Sequence, residues 1–230
     1  MSWLKLFQTK NNLPLPPEWE AYLQHFNHPY TRKTPLRELR FVVLDLETTG
    51  LDVKKDRMLS LGAIAIENQQ IRISERLECF VSQANYTPNE SVGIHGITSK
   101  TSAGGITEEE VILHLLSFCG QSIIVGHHIG FDLAMINQVT KRLWGKRLKN
   151  KAIDTAQLAL RLHPPRPFET AFHPFSLDAV CQQFHIPLEE RHTAAGDALL
   201  TAILFLKIMG RLEKRGLKTL ADLWRFQSKD

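Results

Sequence analysis

Cysteine is scarce in this chain, with three among 230 residues, at positions 79, 119 and 181, far apart and set among apolar neighbours. Without close pairs there is neither a zinc-ligand pattern nor a disulfide framework, so the thiols are expected to be reduced and buried, in a cytoplasmic protein. Long hydrophobic runs are missing as well. The most apolar stretch, Ala198 to Met209, is too short to span a bilayer and contains Lys207, and Met1-Ser2-Trp3-Leu4-Lys5 leads into no apolar segment, so no membrane association is expected. Internal repeats and low-complexity tracts are absent. Charge of one sign is only mildly in excess: a net charge of +4 and a pI near 9.0 suit a polyanionic partner without requiring one.

What is present suffices for one substantial core, since 43% of the residues are hydrophobic and no long stretch is depleted of them. Residues 1–37 are proline-rich and carry Trp19, Tyr22, Leu23 and Phe26 at helical spacing, which predicts an N-terminal helical extension opened by Pro16 and Pro17. Its aromatic stripe is expected to pack on the protein's own core, with a protein partner as the competing use. Residues 38–210 form the main domain. Three strand-like segments come first, Phe41–Leu44, Met58–Ile66 and Gln70–Phe80, the last alternating through Ile71, Ile73 and Leu77, which suggests an antiparallel meander. Thr107 and Glu110 form a capping box for the next helix. Strands at Ser122–Val125 and Lys151–Asp154 alternate with helices at Phe131–Leu143 and Thr155–Leu162, which implies parallel pairing. Helices follow at Ser176–Phe184 and Ala194–Met209, and residues 211–230 form a short helical tail through Leu217, Leu220, Ala221 and Trp224.

A few polar residues interrupt these apolar patterns. Asp45 and Glu47 close the first strand at i and i+2, on one face, where burial and mutual repulsion both penalise their charge. A solvated strand end would explain them equally well. Asp132 falls in the first turn of a helix, which a helix-dipole role also accommodates. Asp197 is the stronger anomaly, an acid on an otherwise core-directed helix. His192 lies five residues earlier; with Thr193 as N-cap it sits just outside that helix rather than on a different face of it. Four carboxylates without cysteine or paired histidine suit hard divalent cations, magnesium or manganese, bound through oxygen.

Taken in order, Leu44-Asp-Leu-Glu-Thr-Thr-Gly50, Gly126-His-His-Ile-Gly-Phe-Asp132 and His192-Thr-Ala-Ala-Gly-Asp197 resemble the three motifs of the DEDD exonuclease superfamily. The histidine marks its DEDDh, or DnaQ-like, branch, to which 3′→5′ proofreading exonucleases belong. Thr193 stands where the sister branch carries tyrosine. Ile94-His-Gly-Ile-Thr98, Ile153-Asp-Thr155 and Ser176-Leu-Asp-Ala-Val-Cys181 are similar to supporting segments, so the resemblance covers about residues 40–209. One departure is His128, where the family commonly has asparagine; a turn role is expected for it between its glycine neighbours.

The resemblance implies a ribonuclease H-like α/β fold, with a central mixed five-stranded sheet flanked by helices. It also implies a metal-dependent 3′→5′ exonuclease using two Mg2+ or Mn2+ ions held by Asp45, Glu47, Asp132 and Asp197. His192 would be the general base, and nucleoside 5′-monophosphates the products. Thr48, Thr49 and Leu51 match positions near the terminal nucleotide, and His95 lies in the loop that helps form that pocket. Nucleic acid is the expected partner, DNA before RNA, with a polymerase or other protein possible through the N-terminal extension. A non-catalytic binding module on the same fold, an RNA-trimming exoribonuclease and an endonuclease remain open. The basic run Lys141–Lys151 either tracks a nucleic-acid backbone or is ordinary solvated surface.

Overall fold

In the computed structural model, which describes residues 14–83, 96–164, 175–188 and 191–228, five strands form one mixed sheet. They are β1 (Phe41–Thr48), β2 (Met58–Glu67), β3 (Gln70–Phe80), β4 (Ile123–Gly126) and β5 (Ala152–Asp154), ordered β3-β2-β1-β4-β5. β1, β2 and β3 pair antiparallel, as the meander requires; Asn68 and Gln69, both at positive φ, make the two-residue turn between β2 and β3. β4 and β5 run parallel to β1 because a helix precedes each of them.

Eight helices occur among the described residues: α1 (Pro17–Gln24), α2 (Ser99–Ala103), α3 (Glu108–Cys119), α4 (Gly130–Trp144), α5 (Thr155–Leu162), α6 (Leu177–Gln183), α7 (Ala194–Lys214) and α8 (Leu220–Ser228). The capping box at α3 forms as expected: the Glu110 amide donates to the Thr107 hydroxyl at 3.1 Å, and the Thr107 amide to the Glu110 carboxylate at 2.8 Å. The period of two divides the core between the two faces of the sheet. Phe41 and Val43 join the cluster built with α5, α6, α7 and α8. Val42, Leu44 and Leu46 point the other way, into the cluster with α1, α3 and α4.

The aromatic stripe of α1 turns inward. Trp19 and Tyr22 are buried, and the Trp19 ring lies 5.3 Å from that of Trp144, so this face is not open to a partner. Two details depart from expectation. α7 continues past Met209 to Lys214, because Leu212 extends its buried face and outweighs the roughly 1 kcal/mol cost of Gly210 inside a helix. The expected boundary at residue 210 therefore falls within a helix. Ile73 is 56% exposed, since the register jumps from Ile64↔Arg76 to Ala65↔Arg72 and residues 73–75 bulge out of β3. The tail is a nine-residue helix with Leu220 and Leu223 buried, and Gln227 bonds to the Ala152 carbonyl at 3.2 Å and the Asp154 amide at 3.3 Å, covering the β5 edge. No described helix is long and apolar enough to cross a membrane, and Cys79, Cys119 and Cys181 are free and buried.

Candidate active site

β1 outruns its parallel neighbour, and the acids lie where it does. Pairing with β4 stops at Val43, so the backbone beyond it needs other partners. Asp132, in the first turn of α4, supplies one: its carboxylate accepts the Leu46 amide at 3.1 Å, between Asp45 and Glu47. Asp45 and Glu47 continue the Phe41 and Val43 face, the face that α7 covers, and meet the first turn of that helix. Carboxylate oxygens of Asp45, Glu47 and Asp197 all lie within 4.8 Å of one another.

A glycine makes this approach possible. Gly62 pairs with Asp45 across β1 and β2, and a Cβ there would lie 2.2 Å from the Ala194 carbonyl carbon. Any larger residue would hold the start of α7 off the sheet. At that start Thr193 is the N-cap, accepting from the Gly196 amide at 3.0 Å. His192 is therefore outside the helix, exposed and in the left-handed region at φ 65. Its neighbour Arg191 points inward instead, with one guanidinium nitrogen on Asp197 and another 2.5 Å from Asp178 of α6. Sequence reasoning passed over Arg191 and Gly62. The signals were a cation beside the third motif and a glycine inside the most apolar strand.

Burial and like charge together make the cluster hard to ionise. Burial first, then Asp132, Asp197 and Glu47, push Asp45 well above the ordinary carboxylate range, with Arg191 pulling it back. Glu47 is pushed up to about 7 by burial and then Asp197. Asp132 also reaches about 7, through burial and the nearby Asp154 and Glu47, despite its two backbone amide donors. Such a set is neutralised either by protons or by cations; its all-oxygen donors fit a hard divalent ion. In chelator, protonation of Glu47 and Asp132 stabilises the fold below their unfolded values near 4, and that stability is lost as pH rises through about 7. Melting in EDTA should accordingly show stability declining from pH 5 to pH 8, on the order of 1–3 kcal/mol. The Glu47→Gln variant should show a shallower decline, and an unchanged slope would contradict this assignment.

Of the other expected residues, the buried Thr48 donates to the Gly50 carbonyl at 2.7 Å. The Thr49 hydroxyl donates to Asp56 at 2.8 Å, and Asp56 also accepts the Asp52 amide at 2.8 Å, which cinches the loop. Leu51 stands at its tip, 85% exposed. His95 lies outside the described residues. His128 has φ 57, a conformation in which histidine and asparagine are both enriched. Its amide donates to Asp154 at 3.0 Å and its ring bonds to the Phe175 carbonyl at 3.1 Å, so it shapes the turn before Asp132. His127 bonds to the same carbonyl at 2.7 Å, and burial lowers its pKa to about 4.

Comparison with known proteins gives this geometry a family. The family model RNase_T, described as Exonuclease, matches residues 42–205. The chain is 34% identical over 172 residues to DNA polymerase III subunit epsilon of Aquifex aeolicus, covering 75% of this chain and 81% of that one. It is 31% identical over 208 residues to a DNA polymerase III PolC-type protein of Thermotoga petrophila, covering 89% of this chain but only 15% of that much longer one. E. coli Exonuclease I in complex with a dT13 oligonucleotide aligns at TM-score 0.65 and 20% identity, over 78% of this chain and 43% of that chain. Exonuclease X in complex with 5′ overhanging duplex DNA aligns at TM-score 0.60 and 21% identity, over 82% and 99%. These structural likenesses show the ribonuclease H-like fold. With three ordered acidic motifs meeting at one end of that sheet and the family model spanning most of the sequence, the chain belongs to the exonuclease family, in its DEDD, DnaQ-like branch.

Proposed function

We propose that this protein is a 3′→5′ exonuclease that hydrolyses the terminal phosphodiester of single-stranded or frayed DNA and releases nucleoside 5′-monophosphates. The convergence of Asp45, Glu47 and Asp197 within 4.8 Å carries this reading. Asp45, Glu47, Asp132 and Asp197 would hold two Mg2+ or Mn2+ ions. Bound divalent ions supply Lewis-acid stabilisation to the attacking and leaving oxygens of an in-line displacement. The protein supplies placement: Asp132 locks onto the β1 backbone, and the first turn of α7 presents Asp197.

His192 is the proposed general base. Held outside α7 by the Thr193 cap, its exposed ring is free to swing over the acids and take the proton of the attacking water. Arg191, paired with Asp178 and Asp197, anchors the segment that carries it. Leu51, 85% exposed in the loop after β1, would offer an apolar surface to the terminal base, and Thr48, Thr49 and His95 are the other residues proposed to bind the terminal nucleotide. Relatives named DNA polymerase III subunit epsilon and DNA polymerase III PolC-type support DNA as substrate and association with a polymerase. Such association would use a surface other than the buried aromatic face of α1.

A 5′-labelled oligonucleotide incubated with Mn2+ should shorten stepwise from its 3′ end, stop on addition of chelator, and remain intact with Asp197→Ala. Circular DNA should survive, and matched DNA and RNA strands compare the two polymers directly. Full activity of purified Asp197→Ala would refute the proposal. His192→Ala should slow turnover by about 10² while its melting temperature stays near that of wild type; unchanged turnover would remove His192 from the mechanism.

A further inference from the structure

The basic run Lys141–Lys151 is sorted by the fold into cations with structural partners and cations without. Arg142 pairs with Glu108, Lys149 lies over the Phe26 ring, and Lys151 lies over the Trp224 ring. Lys141 and Arg147 make no ion pair with the described residues. Both open instead onto a groove of about 590 Å³ between α4 and the loop joining β1 to β2, whose opposite wall carries Lys54. No acid lines it. Val53, Leu133 and Ala134 give it an apolar floor, while Gln138 fixes the loop to the helix by donating to the Lys54 carbonyl at 3.3 Å.

The groove begins at the N-terminal turn of the helix that carries Asp132. Gly130 lines one end, two residues before Asp132, and the helix rises about 16 Å from there to Lys141. We infer that this groove is a binding track for the sugar-phosphate backbone of the single strand leading to the scissile end, with Lys54, Lys141 and Arg147 as its phosphate contacts. The inference rests on the exonuclease reading for its direction. Unpaired cations along an acid-free, apolar-floored channel suit a flexible polyanion with exposed sugar and base faces. Lys146, in the same run but outside the groove, is the internal control.

The test compares K141E/R147E and K146E with wild type on a fluorescein-labelled dT12 strand and on an unlabelled dinucleotide. Anisotropy in EDTA, where no turnover occurs, should show K141E/R147E binding dT12 roughly tenfold more weakly. Its dependence of log affinity on log salt should be shallower by about 1.4, at about 0.7 per lost contact on a single strand. Dinucleotide hydrolysis in Mn2+ should be unchanged in both variants, because the dinucleotide is too short to reach Lys141, and K146E should bind dT12 like wild type. Equal weakening by K146E, unaltered binding by K141E/R147E, or a parallel loss of dinucleotide turnover would each overturn the inference. Failure of the exonuclease reading looks different: wild type would then bind dT12 without degrading either substrate.

Discussion

Asp45→Asn is expected to reduce hydrolysis by about 10³ or more while leaving the folded protein, in chelator at pH 8, at least as stable as wild type. Both halves follow from the same geometry. Asp45 stands at the centre of the cluster, close enough to Asp132, Asp197 and Glu47 for each to oppose its ionisation. Removing its charge removes repulsion from a buried place, so the metal-free fold gains or holds stability as pH rises. The amide cannot supply the anionic oxygen that divalent ions require, so activity goes. Thermal melts with and without Mn2+ separate the two effects: wild type should be raised by the ion, through preferential binding to the folded state, and the variant should not. A variant that is both unstable and still responsive to Mn2+ would contradict this account.

Gly62→Ala is expected to be nearly as damaging to catalysis, although the residue carries no chemistry. The added Cβ would sit 2.2 Å from one backbone atom of α7 and 2.3 Å from others, too close for any rotamer to relieve. Either β2 or the first turn of α7 must move. Overpacking of this kind costs about 1–3 kcal/mol, and moving Asp197 by roughly 1 Å from Asp45 and Glu47 should cost about 10² in turnover. Denaturant melts should show the stability loss, and Mn2+ titration should show weakened binding at the same time. Wild-type turnover in Gly62→Ala would mean that the contact between β2 and α7 does not position the acids. Gly210, whose Cβ would meet nothing within 4 Å, is the matched control in the same helix layer: Gly210→Ala should leave activity unchanged.

Much of this architecture was legible in the residues because it rests on local rules. The period of two along β1 set which residues face which side, the Thr107 and Glu110 pair set where α3 begins, and the alternating elements set where pairing turns parallel. Thr193 as N-cap puts His192 outside α7 on local grounds alone. The departures share a cause in long-range packing. Leu212 is buried by elements distant in sequence, which carried α7 past Gly210. The bulge at 73–75 answers to the register of β2 against β3, which alternation within β3 alone does not encode.

The candidate site divides in the same way. Its four acids and His192 could be named from sequence because each breaks a local pattern and together they stand in a known order. That Asp132 bonds the Leu46 amide depends on where β4 stops. That Arg191 faces the acids while His192 faces solvent depends on the turn entering α7. The basic run read as one patch, yet packing against Glu108, Phe26 and Trp224 leaves only some of its cations for a ligand. Residue type and short spacing alone carry the family, the order of elements and the chemical character of the site. Tertiary structure alone decided the closeness of the acids, the part of Gly62 and the groove beside α4. Those depend on distances between segments far apart in the chain, which only close packing sets.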